Sequence, residues 1–596
     1  MRKEKKIRIG CASGFWGDTS TATKQLIQNA QLDYLVYDFL AEVTMSILAS
    51  AKKKDPSKGY ATDFIDQISP FLKEIKTRNI KVLSNAGGLN PSACKTILET
   101  EAKKNGIKLK IAILKGDNLQ SELPTFIKND IKELEDNKTI PASCLSINAY
   151  LGAPGIAKAL KEGADIVITG RCVDSALTLA PLMHEFNWSE SDYDLLSAGS
   201  LAGHIIECGA QCTGGNFTDW EMVPGFENMG FPYVDVFSNG EFIVSKPKNT
   251  GGIVTFGTVA EQLLYEIGDP AEYILPDVVC DFTKVTIKEI DSNQVLVKGA
   301  KGYPPTDSYK ISATYIEGYH VAGTLVIGGQ HAKRKGELIA EAILKKCSNI
   351  LKDKGYSPFS STSYDLIGSD SIYGPENSNP DTKEIVLRVL ARHPLKEALD
   401  ILSKEMAQAV TGMPAGVINY LGGRPKVSPS IHLFSFLLDK SQIDTEIEIN
   451  EKCFPIHIMI KGGYSPPLKE PTTYENSDTI KTGFYTPLIN LAFARSGDKG
   501  NHANIGVIAR EPHFFPFIDK AINHKTISKL FKHVLVGPVL KWQVPGINGI
   551  NFLLKNSLGG GGMASLHIDP QGKSYAQQLL EYSVPISKEI HNQIKD

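Results

Sequence analysis

Apolar residues in the first third of the chain gather in short β-branched runs that end in glycine or a small polar residue. Each run is followed by a stretch with apolar positions at helical spacing. The pattern predicts strands at 7–10, 34–38, 81–84, 109–114 and 166–169, with helices around 19–30, 63–78, 91–105 and 156–162. Asn90 before Pro91 supplies an N-cap followed by proline in the first turn, where the missing N–H costs no bond. Strands alternating with helices imply right-handed crossovers and a mainly parallel sheet.

The pattern then changes. Residues 192–220 begin as a helix and end in a polar, glycine-bearing segment that reads as a pocket wall. From 233 to about 329 period-two alternation is frequent, as in 285–297 and 314–327, which predicts a second α/β part. Long helices are expected at 333–352 and 382–406. Residues 462–482, rich in Pro, Thr, Ser, Lys and Glu, read as a linker. It separates a region 1–461, divisible into lobes 1–230 and 231–461, from a domain 483–596. In that domain strands at 488–494, 503–509, 550–555 and 563–568 and helices at 526–534 and 575–582 fit a ferredoxin-like α+β sandwich. The fold class is therefore α/β: a mainly parallel-sheet region, a second α/β part and a small α+β C-terminal domain.

A chain of 596 residues is too long for one hydrophobic core. A formal net charge of -2 with 22% charged residues gives no overall bias toward nucleic acid or an anionic membrane, and neither is expected as a partner. The basic opening runs directly into a strand without a secretory h-region, and no apolar run approaches the ~18 residues that span a bilayer. Nine scattered cysteines without a C-x-x-C suit a reducing compartment, so a cytoplasmic location is expected.

Candidate chemistry collects where predicted strands run into helices, the place where α/β folds put ligands. The loop 10–19 has neither dinucleotide nor P-loop spacing, and no cofactor is expected. Ser13, Gly14 and Asp18 contact a ligand there, or Asp18 merely caps the helix. Asn85 and Asn148, after two later strands, either orient a carbonyl or carboxylate or stabilise tight turns. Arg171 and Asp174 in Thr169-Gly-Arg-Cys-Val-Asp-Ser either hold a carboxylate or phosphate or pair with each other at a helix start.

His204, Glu207, Cys208 and Gln211 share a helical face, a set suited to proton transfer or metal binding. No downstream His/Cys pair supplies a fourth ligand, so no metal is expected. Glu207, Asp174 and Cys208 are the catalytic candidates, with Gln211 and Asn216 on the substrate side. In the C-terminal domain, Arg495, Asp498, Lys499 and Asn501 put more charge into a hairpin than turn geometry needs. The glycines 559–562 allow close approach of a ligand or backbone, or form a hairpin tip.

Six motifs together resemble the AtuA acyclic terpene utilisation family: Gly10-Cys-Ala-Ser-Gly-Phe-Trp-Gly-Asp, Asn148-Ala-Tyr-Leu-Gly, Thr169-Gly-Arg-Cys-Val-Asp-Ser-Ala-Leu, Glu207-Cys-Gly-Ala-Gln-Cys-Thr-Gly-Gly-Asn-Phe, Arg495-Ser-Gly-Asp-Lys-Gly-Asn and Gly559-Gly-Gly-Gly-Met-Ala-Ser-Leu. The resemblance implies an N-terminal AtuA region, a C-terminal ferredoxin-fold region, and a role in the catabolism of acyclic terpenes such as citronellol and geraniol beside acyl-CoA enzymes. Cys172 and Cys212 depart from the small apolar residues expected at their positions, which argues against a role for those thiols. Two functions follow as expectations. One is an enzyme acting on a branched acyl-CoA or carboxylate by hydration, dehydration or lyase-type chemistry. The other is a homo-oligomeric, non-catalytic scaffold for acyl-CoA enzymes.

Overall fold

The computed structural model describes residues 5–369, 371–374, 379, 381–466, 483–562 and 564–595. The five expected strands all form: β1 (Lys6–Cys11), β2 (Tyr34–Tyr37), β3 (Lys81–Ser84), β4 (Ile111–Lys115) and, after the separate β5 (Ser146–Ala149), β6 (Ile166–Ile168). They are mutually parallel in the order β1-β2-β3-β6-β4 at the centre of an eleven-stranded sheet, so their carboxyl ends lie along one edge. Antiparallel strands extend the sheet on both sides, Tyr233–Phe237 beside β1 and Glu446–Ile449 beside β4. Each parallel strand is buried on both faces, for instance Leu35, Val82, Ile113 and Val167, as helices covering two sides require.

Four local expectations are corrected. β5 does not belong to the parallel sheet; it pairs antiparallel with the long strand Ser308–Gly328. The helix at 63–78 is two helices, Thr62–Ile68 and Leu72–Thr77, joined through a 3₁₀ turn at Pro70, whose ring interrupts the hydrogen-bond ladder. The helix at 382–406 is a strand, Glu384–His393, then a helix, Lys396–Glu405. Ile385, Leu387, Val389 and Ala391 alternate inward, and Pro394 forces the preceding residue out of helical conformation. Residues 564–568 form no strand. The helices Glu42–Lys54 and Ala176–Phe186 were not expected.

The second sheet is built on Ser308–Gly328, which pairs with Ser428–Asp439 along its first half and Glu384–His393 along its second, with Ser361–Ile367 at the edge. The helices Ala332–Asp353 and Lys396–Glu405 cover one face through Ile339, Ile343, Leu399 and Leu402 against Val321, Leu325, Leu387 and Val389. In the C-terminal domain four antiparallel strands run in the order Ala492–Lys499, His502–Ala509, Gly549–Leu554, Val539–Val544, over a core of their own. Most of the linker expected at 462–482 lies outside the described residues. Among the described residues, no helix is long and apolar enough to cross a membrane.

The C-terminal domain is locked to the first region by polar bonds. Arg495, buried, forms an ion pair with the fully buried Glu261 at 2.9 Å and donates to Gln262 Oε1 at 3.0 Å and to the carbonyls of Gln211 and Gly215 at 3.2 and 3.0 Å. Asn504 and Asn551 donate to the carbonyls of Leu264 and Ile267 at 2.6 and 2.8 Å. Phe217 stacks on Phe493 with centroids 5.6 Å apart.

Candidate functional site

The parallel edge supplies the floor. Asp38 follows β2 and is buried; Asn85, following β3, donates to its Oδ1 at 2.6 Å while accepting from the Phe39 amide at 2.8 Å. Burial pushes the Asp38 carboxyl well above its ordinary range, reinforced by Asp174 and Glu207 and opposed by Arg171. Asp117, after β4, accepts from Asn148 Nδ2 at 2.9 Å and the Arg171 amide at 2.8 Å, and burial raises it to about 6. Asn148 thus arrives at the same edge from a different sheet, across the β5 pairing.

Arg171, after β6, is 5% exposed and lies flat on Tyr150, 4.3 Å from the ring centroid. Its Nη1 is 2.5 Å from Asp174 Oδ1. Tyr150 donates its hydroxyl to Glu42, and Lys310 reaches both, 5.1 Å from the Tyr150 ring and 4.0 Å from Glu42. Burial alone would raise Glu42, but Lys310, Arg171 and the tyrosine hydroxyl outweigh it and bring the carboxyl to about 2. A guanidinium, an ammonium and an ionised carboxylate therefore meet on one aromatic ring.

Glu207 follows the helix Tyr193–Ile206, and its Oε1 is 3.2 Å from His204 Nδ1. Burial lowers His204 to about 4, so the imidazole is neutral at pH 7. Its Nε2 faces the Leu263 carbonyl at 3.3 Å and must carry the proton, which leaves Nδ1 as an acceptor. That tautomer suits a protonated Glu207. Burial, then Asp174 and Glu266, push the Glu207 carboxyl well up, with Lys499 opposing. Cys208 beside it is held as a thiol by burial and by Glu207, so its place among the catalytic candidates is not supported by a nucleophilic thiolate.

The roof comes from the C-terminal domain. At the tip of the hairpin Lys499 stands 5.4 Å over the Tyr273 ring. Lys573 bonds the Tyr265 hydroxyl and lies 3.7 Å from Glu266 Oε1. Burial and Asp498 raise Glu266 to about 7, against Lys573. The side chains of Asp174, Lys310 and Glu266 keep 32%, 46% and 38% of their accessibility. Solvent therefore reaches this charged junction of the two regions, hereafter the cleft.

Of the nominated residues, Asn85, Asn148, Arg171, Asp174, Glu207, Cys208, Asp498 and Lys499 come together at this cleft. Ser13 is buried and bonded to the Phe15 carbonyl at 2.8 Å. Asp18 does not cap the helix Ala22–Asn29; it accepts from the Gly14 amide at 3.0 Å. A Cβ on Gly14 would lie 2.7 Å from the Cys208 carbonyl carbon, so glycine allows the Glu207–Cys208 turn to pack. Asn216 is an exposed turn residue with φ 55°. Arg495 spends its guanidinium on the domain interface. Asn501 bonds Asn556 at 3.2 Å and the Gly560 amide at 2.7 Å, pinning the glycine loop. Gln211 gives its carbonyl to Arg495, and its buried Oε1 has no partner.

Asp38, Glu42, Tyr150, Tyr265, Glu266, Tyr273, Lys310 and Lys573 were not nominated from sequence, although Tyr150 lies inside Asn148-Ala-Tyr-Leu-Gly. Asp38 ends a strand that was recognised, a signal that was available; the rest sit in a helix, strands, turns and a loop whose approach to the edge is tertiary. Among the described residues no three or more His, Cys, Asp or Glu side chains are grouped to hold a metal ion.

Neither the curated proteins nor the solved structures contain a match to this chain. The family model described as acyclic terpene utilisation family protein AtuA matches residues 7–449, and the AtuA ferredoxin-like domain matches residues 486–585. With about three quarters of its length inside the first match and the second covering the domain that roofs the cleft, the chain belongs to the acyclic terpene utilisation family AtuA.

Proposed function

We propose that the protein is an enzyme of acyclic terpene or branched acyl-CoA catabolism, acting on an acyl-CoA or carboxylate by hydration, dehydration or lyase-type chemistry. The observation that carries this reading is Glu207, its Oε1 3.2 Å from a neutral His204 and its carboxyl pushed well up by burial, in the same charge field as the Arg171–Asp174 pair. A carboxyl kept protonated at neutral pH is a general acid. Arg171, with Lys310 and Lys499 nearby, offers positive charge to a carboxylate or to the oxygen of a thioester enolate. In a dehydration, Asp174 removes the proton α to the carbonyl. The electron pair then expels the β-hydroxyl, which Glu207 protonates so that water leaves. Proton exchange with solvent resets both carboxyls, and hydration is the reverse.

The test is turnover of branched and terpenoid acyl-CoAs and free acids by the full chain, with products identified by mass. Glu207→Gln is expected to lower kcat by about 10²–10⁴-fold with little change in KM. Absence of turnover across the panel, together with full growth of a Glu207→Gln strain on acyclic terpenes, would overturn the reading.

A further inference from the structure

The face of the second sheet opposite its helices meets the C-terminal domain, and its polar groups are not used by the cleft. Register puts His320, Arg392 and Ser361 side by side, and Thr324, Arg388 and Asp365 in another row four residues along the central strand. Ser363 falls between the two rows on the edge strand, and directly opposed or diagonal side chains on one sheet face are in reach of each other. Arg388 is satisfied: Nη1 bonds Asp365 at 2.9 Å and the Leu566 carbonyl at 3.2 Å, which fastens the end of the glycine-rich loop to this face. His320 Nδ1 faces Ser430 Oγ at 3.3 Å.

Three polar atoms here are buried without a hydrogen-bond partner: Arg392 Nε, Ser363 Oγ and, from the loop above, His567 Nδ1. They come from three segments far apart in sequence. Burial lowers the protonation of His320, His432 and His567, and the Arg392 charge adds to it in each, so all three imidazoles lie within its field. Two carboxylates stand nearby. Asp365 is committed to Arg388, and Glu317 is 66% exposed, 3.7 Å from His432. Neither forms an ion pair with Arg392. A half-buried guanidinium with an unpaired Nε, an unpaired hydroxyl diagonal to it on the paired strand, and an unpaired imidazole nitrogen on the loop fastened to the same face together make a donor set suited to an oxyanion, because buried donors left unbonded are costly.

We propose that Arg392, Ser363 and His567, at the junction of the second sheet and the C-terminal domain, form a binding site for a phosphate group. The site is separate from the Glu207 cleft and does not depend on the chemistry assigned there. The glycine-rich loop borders both, because a Cβ on Gly562 would lie 3.9 Å from Val43, the neighbour of Glu42, while Leu566 touches Arg388. A phosphate on the carrier portion of a larger substrate and free phosphate share this chemistry.

The full chain is titrated with inorganic phosphate, coenzyme A and pantetheine, read by thermal shift and calorimetry. Phosphate should raise the Tm of the native protein by ligand linkage, and Arg392→Gln should lose that response and weaken phosphate binding at least about tenfold, with its ligand-free Tm within a few degrees. If Arg392→Gln does not fold, Ser363→Asp, which sets a carboxylate beside the guanidinium, must abolish the same response. Coenzyme A binding about tenfold or more tighter than pantetheine, with the difference lost in the variant, identifies a cofactor phosphate. Equal binding of the two, with the phosphate response intact, identifies free phosphate. No phosphate response in the native protein, or an equal one in both variants, overturns the site.

Discussion

Glu42 and Asp117 show how one edge of a sheet sets carboxyl groups in opposite directions. Asp117 meets only neutral donors, so burial dominates and raises it to about 6; Glu42 meets Lys310 and Arg171 and falls to about 2. The consequences for stability have opposite signs. The unfolded chain releases these protons near pH 4. Glu42 therefore contributes stability above about pH 4–5 that is lost as pH falls toward 2, whereas Asp117 costs stability as pH rises from about 4 through 6. Urea midpoints measured from pH 3 to 7 should show Glu42→Gln flattening the acid side of the profile and Asp117→Asn flattening the decline between 4 and 6. Identical profiles for both variants and the native chain would contradict these environments. At this scale the sequence was informative for Arg171 and Glu207, whose motifs end or begin helices. It was silent for Lys310, one polar residue in an alternating strand like many others.

Elements decide where such residues point. The loop 10–19 was read either as a ligand contact or as a helix cap; in the fold Gly14 receives the Cys208 backbone and Asp18 closes the loop on the Gly14 amide. Gly14→Ala should displace the Glu207–Cys208 turn by a few tenths of an ångström or more. Activity dependent on Glu207 should fall while the far-ultraviolet dichroism stays native, since a misplacement near 1 Å costs about 10²-fold in rate. A variant with full kcat would show that the contact does not position Glu207. Most of the strand–helix alternation of residues 6–168 was legible because its parallel strands are short, mostly apolar runs bounded by turn residues. The segment 384–405 was not, because a 10-residue strand and a 10-residue helix meet at Pro394 and their combined apolar spacing imitates one helix.

The whole molecule is held by charges buried between its two regions. Arg495 and Glu261 are 3% and 0% exposed at the side chain, so removing one strands the other. Arg495→Ala should destabilise the protein by about 3–5 kcal/mol, seen as an early loss of the native state in guanidinium and loss of any activity that needs Lys499 over the cleft. A change under 1 kcal/mol would mean that the domains are not coupled through this pair. The sequence by itself determined the parallel α/β region, a separate small C-terminal domain, and the loops that bear Arg171 and Glu207, because local periodicity and turn chemistry are written in neighbouring residues. Tertiary structure alone decided that Asn148 reaches the edge from another sheet, that Arg495 clamps the two regions together, and that Asp38, Glu42, Lys310 and Glu266 share one field. Those outcomes depend on strand pairing and domain docking between residues tens to hundreds of positions apart, and no local pattern records such pairings.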